Sequence, residues 1–581
     1  MPETHGQMGF ADWFMIAGYF VLMLGIGAWF YGRMRGIKDY FSGGNTIPWW
    51  LSGVSFYMSS FSVGAFVFYP SLCYRHGWVG VTLLWVAVPA TLFGVLLFAA
   101  RWRRARVDSP VEYIETRYGP LLRQLFAWQG VPVRIIDDGI KLFATGTFIS
   151  VCAGLTMTQS LLAAGGIILV YTFMGGLWAV AVTDFIQFVV LTAAILIILP
   201  LSVARAGGLG AIVDGVPEGF FRLTAPEFGW SYVIPLVGLY ALAWSSINWS
   251  LIQRYYCVPK ERDAVKVGGL VMALYVVGPP AMFFPAIAAT RFMPDVADAG
   301  QIYPLLCTAL LPAGMLGLAV AAMFAATMST LSSDYNVCAS VLTNDVYRRL
   351  FRPNADQREL VLVGRLMTLA VGIIALATAM LMARGRAEDL FRTMVTLFGV
   401  ATAPVAVPML LGLISRKATN AAAVAGFLCG IAAGLGLFFL SRTQNPVSVL
   451  GMAWDPAAKN VLFGGFALKM EIVMLLVTFM VTLGVMALIS ALFPAGAAAR
   501  ARTDRFLEKL AAPVGTLPED HAGDGGAAQS PFRVVGVAIL LVGVLLFAVI
   551  PWVGGGLVLL LDAVIAALLA GVGGVMALKA Q

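Results

Sequence analysis

Residues 58–64 read MSSFSVG, a serine-rich interruption inside an otherwise apolar run over residues 47–70. A second interruption, SSINWS at residues 245–250, lies inside the apolar run over residues 232–252. Polar breaks at corresponding positions of two halves of a membrane chain predict an inverted-repeat transporter with a binding site near the midplane. The competing interpretation is that these Ser and Asn side chains only hydrogen-bond neighbouring helices.

The chain around these breaks is apolar over most of its length. Of its 581 residues, 60% are hydrophobic and 12% are charged, which leaves too few polar residues to cover a soluble protein of this size. Apolar runs of about 20 residues are long enough to cross a bilayer, and in lipid such runs must be helical. We predict an all-α polytopic membrane protein with about 15 spans, near residues 11–31, 47–70, 78–100, 126–153, 158–178, 182–204, 232–252, 266–292, 311–345, 360–384, 391–415, 419–441, 470–493, 532–551 and 554–578.

The basic residues predict the orientation of these spans. With the N-terminus outside, the inside loops carry 24 Lys and Arg residues and the outside loops carry nine, so the positive-inside rule favours this orientation. The C-terminus is then cytoplasmic, and we expect a plasma membrane, most simply a bacterial inner membrane. The formal net charge of +8 is spread over short loops, so no basic face for nucleic acid is predicted.

The spans fall into six predicted segments. These are an N-terminal extra span with a basic loop over 1–46, a first inverted repeat over 47–204, a second inverted repeat over 232–415, additional spans over 416–498, a flexible cytoplasmic linker over 499–531 and a C-terminal two-span hairpin over 532–581. The linker prediction depends on the Gly, Ala, Pro and Asp residues that follow one another there in low-complexity order.

Ionisable and hydroxyl side chains within the spans are functional candidates, because burying them in lipid is costly. Asp184 lies near the start of one span, and the run over 311–345 carries Ser329, Thr330, Ser332, Ser333, Asp334 and Asn336. The spacing of Ser329, Ser332 and Ser333 places their hydroxyls on one helix face. Hydroxyls, a carboxylate and freed backbone carbonyls form the all-oxygen ligand set that a small hard cation prefers. The alternative is a packing face of small residues.

The fourth span holds the densest group of charges, which consists of Arg134, Asp137, Asp138 and Lys141. Arg134 and Asp138 are four residues apart, as are Asp137 and Lys141, so two helical ion pairs could neutralise the group. The other interpretation is that these residues form the wall of a polar cavity that contacts a solute. The spacing leaves both interpretations open.

Four separated motifs resemble the sodium:solute symporter family. Residues 171–187, YTFMGGLWAVAVTDFIQ, resemble the family's YT..GG..AV..TD..Q signature, and residues 325–347 resemble its AA..SS...S segment ending in DIY. Gln253-Arg254 closes one broken span, and Ile47-Pro48-Trp49-Trp50 with Gly53 and Ser55 opens the other. The resemblance covers about residues 47–415.

This resemblance implies the leucine-transporter-type fold, with five-plus-five inverted repeats and alternating access driven by inward sodium flow. It implies a first sodium site formed by backbone carbonyls of the broken first core helix and by residues of the eighth core helix. The matching positions are Met58, Phe61, Ala326, Ser329 and Thr330. Some members, including sialic acid transporters, have a second sodium site, and its matching positions are Asp184, Ser329, Ser332 and Ser333. Na+ is therefore the expected coupling ion.

At the solute site the resemblance is mixed. The Pro-Trp-Trp opening and Asn248 match the sugar and polyol branch, whereas Gly64-Ala65 replaces a polar pair and Val395 replaces a Gln. Asp137 matches a position that is Arg or Lys in other members, and an acidic group there argues against an anionic solute. We predict a small polar solute, a sugar or polyol before an amino acid or organic anion. Its predicted contacts are Ser59, Ser60, Ser62, Asp137, Asp138, Lys141, Asn248 and Trp249.

Three other functions would each require different sequence features. A proton-coupled carrier would use Asp184 or Asp138 as the titrating group. A solute sensor that does not transport would be expected to carry an output domain, and the segment after residue 499 holds only the predicted linker and two spans. An enzyme would need a nucleophile–base or metal constellation, which the sequence lacks. We therefore predict a transporter and not an enzyme.

Overall fold

The structure, a computed structural model, describes residues 8–31, 45–60, 62–107, 110–171, 177–383, 387–443, 447–449, 452–456, 459–463, 466–517, 532–552 and 557–578. Its helices are α1 (Phe10–Tyr31), α2 (Trp49–Ser59), α3 (Val63–His76), α4 (Val79–Arg104), α5 (Pro110–Tyr118), α6 (Pro120–Ala153), α7 (Met157–Tyr171), α8 (Leu177–Arg205), α9 (Leu209–Gly215), α10 (Trp230–Ile247), α11 (Trp249–Tyr256), α12 (Glu261–Ala289), α13 (Ile302–Leu310), α14 (Met315–Val341), α15 (Gln357–Met382), α16 (Ala387–Ile414), α17 (Asn420–Leu440), α18 (Met470–Leu492), α19 (Ala497–Ala511), α20 (Phe532–Val549) and α21 (Leu557–Leu578). Helix α14 continues as a π-helix over Leu342–Phe351.

The number of membrane spans depends on how bent helices are counted. Eleven of the described helices are long and apolar enough to cross a membrane, or up to thirteen if each of two bent pairs counts as one span. The bent pairs are α2 with α3, at 61°, and α6 with α7, at 118°. The predicted number of about 15 counts α6 and α7 separately and includes α1, whose apolar stretch, Phe10–Ile26, is shorter.

Both predicted breaks interrupt helices. Between α2 and α3, Ser62 leaves the helical conformation, and its hydroxyl accepts a hydrogen bond from the amide of Gly64 at 3.2 Å, which caps α3. In the second break, α10 ends in a π-helical turn over Ala243–Ile247, and Asn248, at φ −82° and ψ 87°, separates it from α11. Such broken helices free backbone groups, which membrane proteins tolerate only inside protein or around a cavity.

Ten spans between α2 and α16, with each broken helix counted once, form two five-helix repeats that pack reciprocally. The broken helix of the first repeat, α2 with α3, contacts α12, the second helix of the other repeat. The broken helix of the second repeat, α10 with α11, contacts α4 in the same way. Likewise α6 packs against α15, and its counterpart α14 packs against α7. This exchange of equivalent contacts is the arrangement of an inverted-repeat transporter.

Helix α1 is attached to the second repeat through a buried carboxylate. Asp12 is 4% exposed, and its Oδ1 accepts hydrogen bonds from the amides of Gly314 and Gly317, each at 2.8 Å. These amides lie at the N-terminus of α14, where backbone donors lack partners within the helix and the helix dipole favours an anion. Asp12 therefore caps a helix 302 residues away in sequence.

Replacing Asp12 with Ala is expected to destabilise the folded protein by about 1–3 kcal/mol, because two buried amides lose their acceptor. Asp12→Asn keeps one carbonyl oxygen and should lose less. The contact is confirmed if the apparent melting temperature in detergent is highest for the wild type, lower for Asp12→Asn and lowest for Asp12→Ala. Equal melting temperatures for the three proteins would contradict it.

Two segments differ from the sequence prediction. The region before α18 contains a four-stranded antiparallel sheet in the order β1-β2-β3-β4, with β1 (Val447–Val449), β2 (Met452–Asp455), β3 (Asn460–Phe463) and β4 (Phe466–Lys469). The first part of the segment predicted as a flexible linker over 499–531 is helical, because α19 extends to Ala511. Its residues Thr503, Phe506 and Leu510 are buried at helical spacing, and the Arg117 guanidinium donates to the Thr503 hydroxyl at 3.0 Å.

The C-terminal helices α20 and α21 form a closely packed hairpin. A Cβ on Gly543 would lie 2.6 Å from the backbone nitrogen of Ala570, so only glycine permits this approach. Small residues that let two backbones meet are typical of membrane helix pairs. The hairpin contacts α1 and α8 and lies outside the reciprocal repeat contacts.

Candidate functional site

A cavity of about 200 Å³ lies between the two helix breaks. It is lined by residues from both breaks and from helices α6, α14 and α16. Of the predicted solute contacts, those that line it are Ser59, Ser60, Ser62, Asp137, Lys141, Asn248 and Trp249. Asp138 is fully buried and does not line the cavity. Seven of the eight predicted residues, from three separate parts of the chain, therefore meet at one cavity.

Aromatic residues that the sequence analysis did not single out form much of the remaining wall. Tyr69 and Tyr240 come from opposite repeats, and their hydroxyls lie 2.8 Å apart. Trp244 packs on Tyr240 with ring centroids 5.0 Å apart, and Phe398 contributes from α16. Val395, which replaces a Gln of sugar carriers, is buried but does not line the cavity. The site therefore combines hydroxyl groups with flat apolar surfaces.

The predicted first sodium site lies where the first break meets α14. Met58 is buried one residue before the end of α2, and Thr330 lines the cavity from α14. The amide of Val63, the first residue of α3, donates to the hydroxyl of Thr327 at 3.3 Å, which connects the break to this part of α14. Phe61 lies outside the described residues, as do the side chains of Ala326 and Ser329.

Asp184, the predicted carboxylate of the second sodium site, is buried on α8 and faces α2. Its Oδ2 accepts hydrogen bonds from the hydroxyls of Ser55 at 2.6 Å and Ser59 at 3.4 Å. Arg254 of α11 lies 3.5 Å from the same oxygen and also donates to both hydroxyls. Arg254 belongs to the Gln253-Arg254 motif, but the sequence did not predict its pairing with Asp184.

The other predicted ligands of the second sodium site lie on a neighbouring helix. Ser332 is buried on α14, which packs against α8. The side chain of Ser333, like that of Ser329, is outside the described part of the chain. The structure thus places the helices of this site together and gives Asp184 a cationic partner of its own.

A network of five ionisable groups borders the cavity, and its pairing differs from the simple helical pairs. Arg134 forms an ion pair with Asp334 of α14 and not with Asp138, four residues away on its own helix. Lys141 lies between three carboxylates, with distances from its Nζ of 2.7 Å to Asp137, 3.0 Å to Asp334 and 3.2 Å to Asp138. Asp334 therefore binds both cations and joins α6 to α14.

Arg134 also contacts the second break. Its guanidinium carbon lies 4.6 Å from the centroid of the Trp249 ring, within the range of a cation–π contact. Trp249 is the first residue of α11. The charged wall of the cavity is therefore in direct contact with the broken helix of the second repeat.

Comparisons with known proteins agree with this architecture. The sequence profile of the sodium:solute symporter family matches residues 40–218 and 251–430. A sodium/sialic acid symporter of Proteus mirabilis is 24% identical over 446 residues, which are 74% of this chain and 90% of that protein. A sodium/glucose cotransporter of Vibrio parahaemolyticus is 26% identical over 479 residues, 76% of this chain and 87% of that protein. Sodium/myo-inositol cotransporter 2 of Rattus norvegicus is 25% identical over 475 residues, 73% and 69% of the two chains.

A solved structure shares the fold. A substrate-bound, outward-open Na+-coupled sialic acid symporter superposes with a TM-score of 0.68 at 22% identity, covering 84% of this chain and 98% of that one. The two broken helices, the reciprocal repeats and this likeness give the leucine-transporter-type fold that the sequence motifs implied. The family profile spans more than half of the chain, on both sides of the second break. The chain therefore belongs to the sodium:solute symporter family and is a sodium-coupled transporter, not an enzyme.

Proposed function

We propose that this protein carries a small, polar, uncharged solute, a sugar or polyol, together with sodium by alternating access. The observation that carries the proposal is the cavity itself, which both helix breaks border and whose wall mixes hydroxyl groups with aromatic rings. A volume of about 200 Å³ lies below the range of about 300–1,000 Å³ that is usual for drug-sized ligands. A small solute is therefore favoured.

The charges around the cavity support an uncharged solute. Arg134 and Lys141 are the two cationic residues of the described lining, and both are already paired with carboxylates. An organic anion would have to displace one of these pairs inside the protein, where a charge without its partner is costly. Hydroxyl groups, by contrast, can hydrogen-bond the serines, Tyr69, Tyr240 and Asn248 without disturbing the ion pairs.

The named relatives support a solute with many hydroxyl groups. They carry sialic acid, glucose and myo-inositol, all of which are rich in hydroxyl groups. The three solutes differ from one another although each relative is about equally similar to this chain, so no single solute follows from similarity. Asp137 stands where the resemblance places Arg in sialic acid carriers, which weighs against sialic acid.

For the ions, we infer two sodium sites at the positions that the sequence predicted. The first consists of the carbonyls of Met58, Phe61 and Ala326 with the hydroxyls of Ser329 and Thr330. The second consists of Asp184, Ser329, Ser332 and Ser333. The Val63–Thr327 hydrogen bond supports the first site, because it holds the first break against α14. The burial of Asp184 on α8, a helix that packs against α14, supports the second.

The proposed cycle follows from these positions. Sodium bridges the first break to α14 and favours an outward-open state, the solute binds between the breaks, and the bundle then rocks to open inward. Sodium drives this change only if it binds the two states with different affinity. We place the protein in the cell membrane. Its N-terminus then lies outside the cell and its C-terminus lies in the cytoplasm, as the basic loops predict.

A thermal-shift screen of sugars, polyols, amino acids and organic acids, with sodium or choline, tests the proposal. A solute that binds the folded protein at about 100 times its Kd adds about 2.7 kcal/mol to stability. We expect a sugar or polyol to raise the melting temperature only with sodium. Asn248→Ala should abolish the shift, and the control Asn420→Ala at the start of α17 should keep it. A sodium-dependent shift from an organic acid or amino acid instead would overturn the solute class.

A further inference from the structure

The network of Arg134, Asp137, Asp138, Lys141 and Asp334 has a net charge of −1 when all five groups are ionised. It contains three carboxylates and two cations, and the carboxylates alone have oxygens within 4.8 Å of one another. Each of the five side chains is less than one-fifth exposed. A net charge in such a place is costly unless a ligand balances it.

Both cations of the network already interact with partners inside the protein. Lys141 has three ammonium hydrogens and three carboxylate partners, so it has no further hydrogen to donate. Arg134 pairs with Asp334 and lies over the ring of Trp249. Asp334 thus contacts both cations, and Asp137 has the shortest of the three contacts with Lys141, at 2.7 Å.

Asp138 is the carboxylate that these contacts satisfy least. Its side chain has no exposure, its Oδ1 has only the longest of the Lys141 contacts, and its Oδ2 has no hydrogen-bond partner among the residues that the structure describes. Its neighbours on α6 are Arg134, Asp137 and Lys141. The titratable groups that face it from α14 are Asp334, Tyr335 and Cys338. Where α15 packs against α6 beside Asp138, at Gly139, it presents Thr378, which does not titrate.

We propose that Asp138 binds a proton on Oδ2 in the folded protein at neutral pH and thereby makes the network electrically neutral. A proton fits where a metal ion does not, because the ammonium of Lys141 already occupies the space between the three carboxylates. Asp137 and Lys141, its neighbours on α6, line the cavity. This proton is bound in addition to sodium and does not depend on the identity of the solute.

Infrared spectroscopy of the purified full-length protein tests the proposal, because a protonated carboxyl has a C=O stretch apart from the carboxylate and amide bands. The measurement is made in an Asp562→Asn background, since both carboxylate oxygens of Asp562 also lack partners among the described residues. We expect a protonated-carboxyl band at neutral pH that Asp138→Asn removes and that Asp12→Asn, a matched change at a buried carboxylate outside the network, retains. A spectrum without the band, or a band that Asp138→Asn leaves unchanged, would overturn the proposal.

Stability provides a second measurement. If folding binds a proton that the unfolded chain has released, the linkage makes stability fall as pH rises, and Asp138→Asn removes that component. Asn is neutral and of the same shape, so Asp138→Asn should fold as well as the wild type at neutral pH. A variant that fails to fold, or that loses its stabilisation by sodium chloride relative to choline chloride, would show that Asp138 is needed as an anion and would contradict the proposal.

Discussion

Asp184→Asn is expected to destabilise the folded protein by about 3–5 kcal/mol, because it leaves a buried guanidinium without its counter-charge. The side chains of Asp184 and Arg254 are 3% and 4% exposed, and their charged groups lie 3.5 Å apart. Water therefore cannot replace the lost partner. A lower apparent melting temperature in sodium-free detergent solution measures this effect.

The response of two variants of this pair to sodium distinguishes two roles of Asp184, sodium binding and pairing with Arg254. If Asp184 also binds sodium, Asp184→Asn should abolish the part of sodium stabilisation that arises at the second site. Arg254→Gln should have the opposite effect, because it leaves the carboxylate with sodium as its remaining cation, and sodium should then restore much of the lost stability. If sodium stabilises neither variant differently from the wild type, Asp184 is only a partner of Arg254.

A matched control is Glu227→Gln, which removes a carboxylate from an exposed pair. Glu227 lies 2.7 Å from Arg392, and its side chain is 48% exposed. Exposed pairs contribute about 0–1 kcal/mol. A loss at Asp184 no larger than the loss at Glu227 would contradict the account of a buried pair.

Thr330→Val is expected to weaken sodium binding at the first site at least tenfold, about 1.4 kcal/mol. The substitution keeps the shape of the side chain and removes the hydroxyl proposed as a ligand, and the site then holds the ion with one oxygen fewer. The measurement is the sodium concentration that gives half-maximal thermal stabilisation. We expect a clear shift to higher sodium while the unliganded protein stays folded.

Thr368→Val is the control for the loss of a threonine hydroxyl. The hydroxyl of Thr368 donates to the carbonyl of Gly364 within its own helix, and the residue does not line the cavity. Its sodium dependence should match the wild type. If Thr330→Val also matches the wild type, Thr330 is not a sodium ligand and the first site needs another assignment.

The architecture could be predicted from sequence because its signals are local. The apolar runs, and the serine-rich and asparagine-containing interruptions within two of them, each lie within a few tens of residues. Helical spacing likewise indicated that Asp137 and Lys141 interact. Helix α19 also has a local signal, the helical spacing of Thr503, Phe506 and Leu510. The low-complexity composition of the surrounding segment obscured it.

The partners of the buried charges could not be predicted, because they depend on tertiary packing. Asp334 lies 200 residues from Arg134, and Arg254 lies 70 residues from Asp184, so no spacing rule within one helix relates them. Helical spacing predicted that Arg134 pairs with Asp138, but in the fold Arg134 pairs with Asp334 of α14. Asp12 and the amides of α14 are a third case. A single sequence shows which charges need partners, but only the packed helices decide which partners they have.

Uptake into liposomes under an inward sodium gradient, with the solute that the thermal-shift screen identifies, directly tests whether this protein couples solute transport to sodium. We expect concentrative uptake that stops when sodium is equal on both sides or is replaced by choline. In Thr330→Val, we expect the same uptake to require a higher sodium concentration. Uptake of the same extent with and without the sodium gradient would contradict sodium coupling.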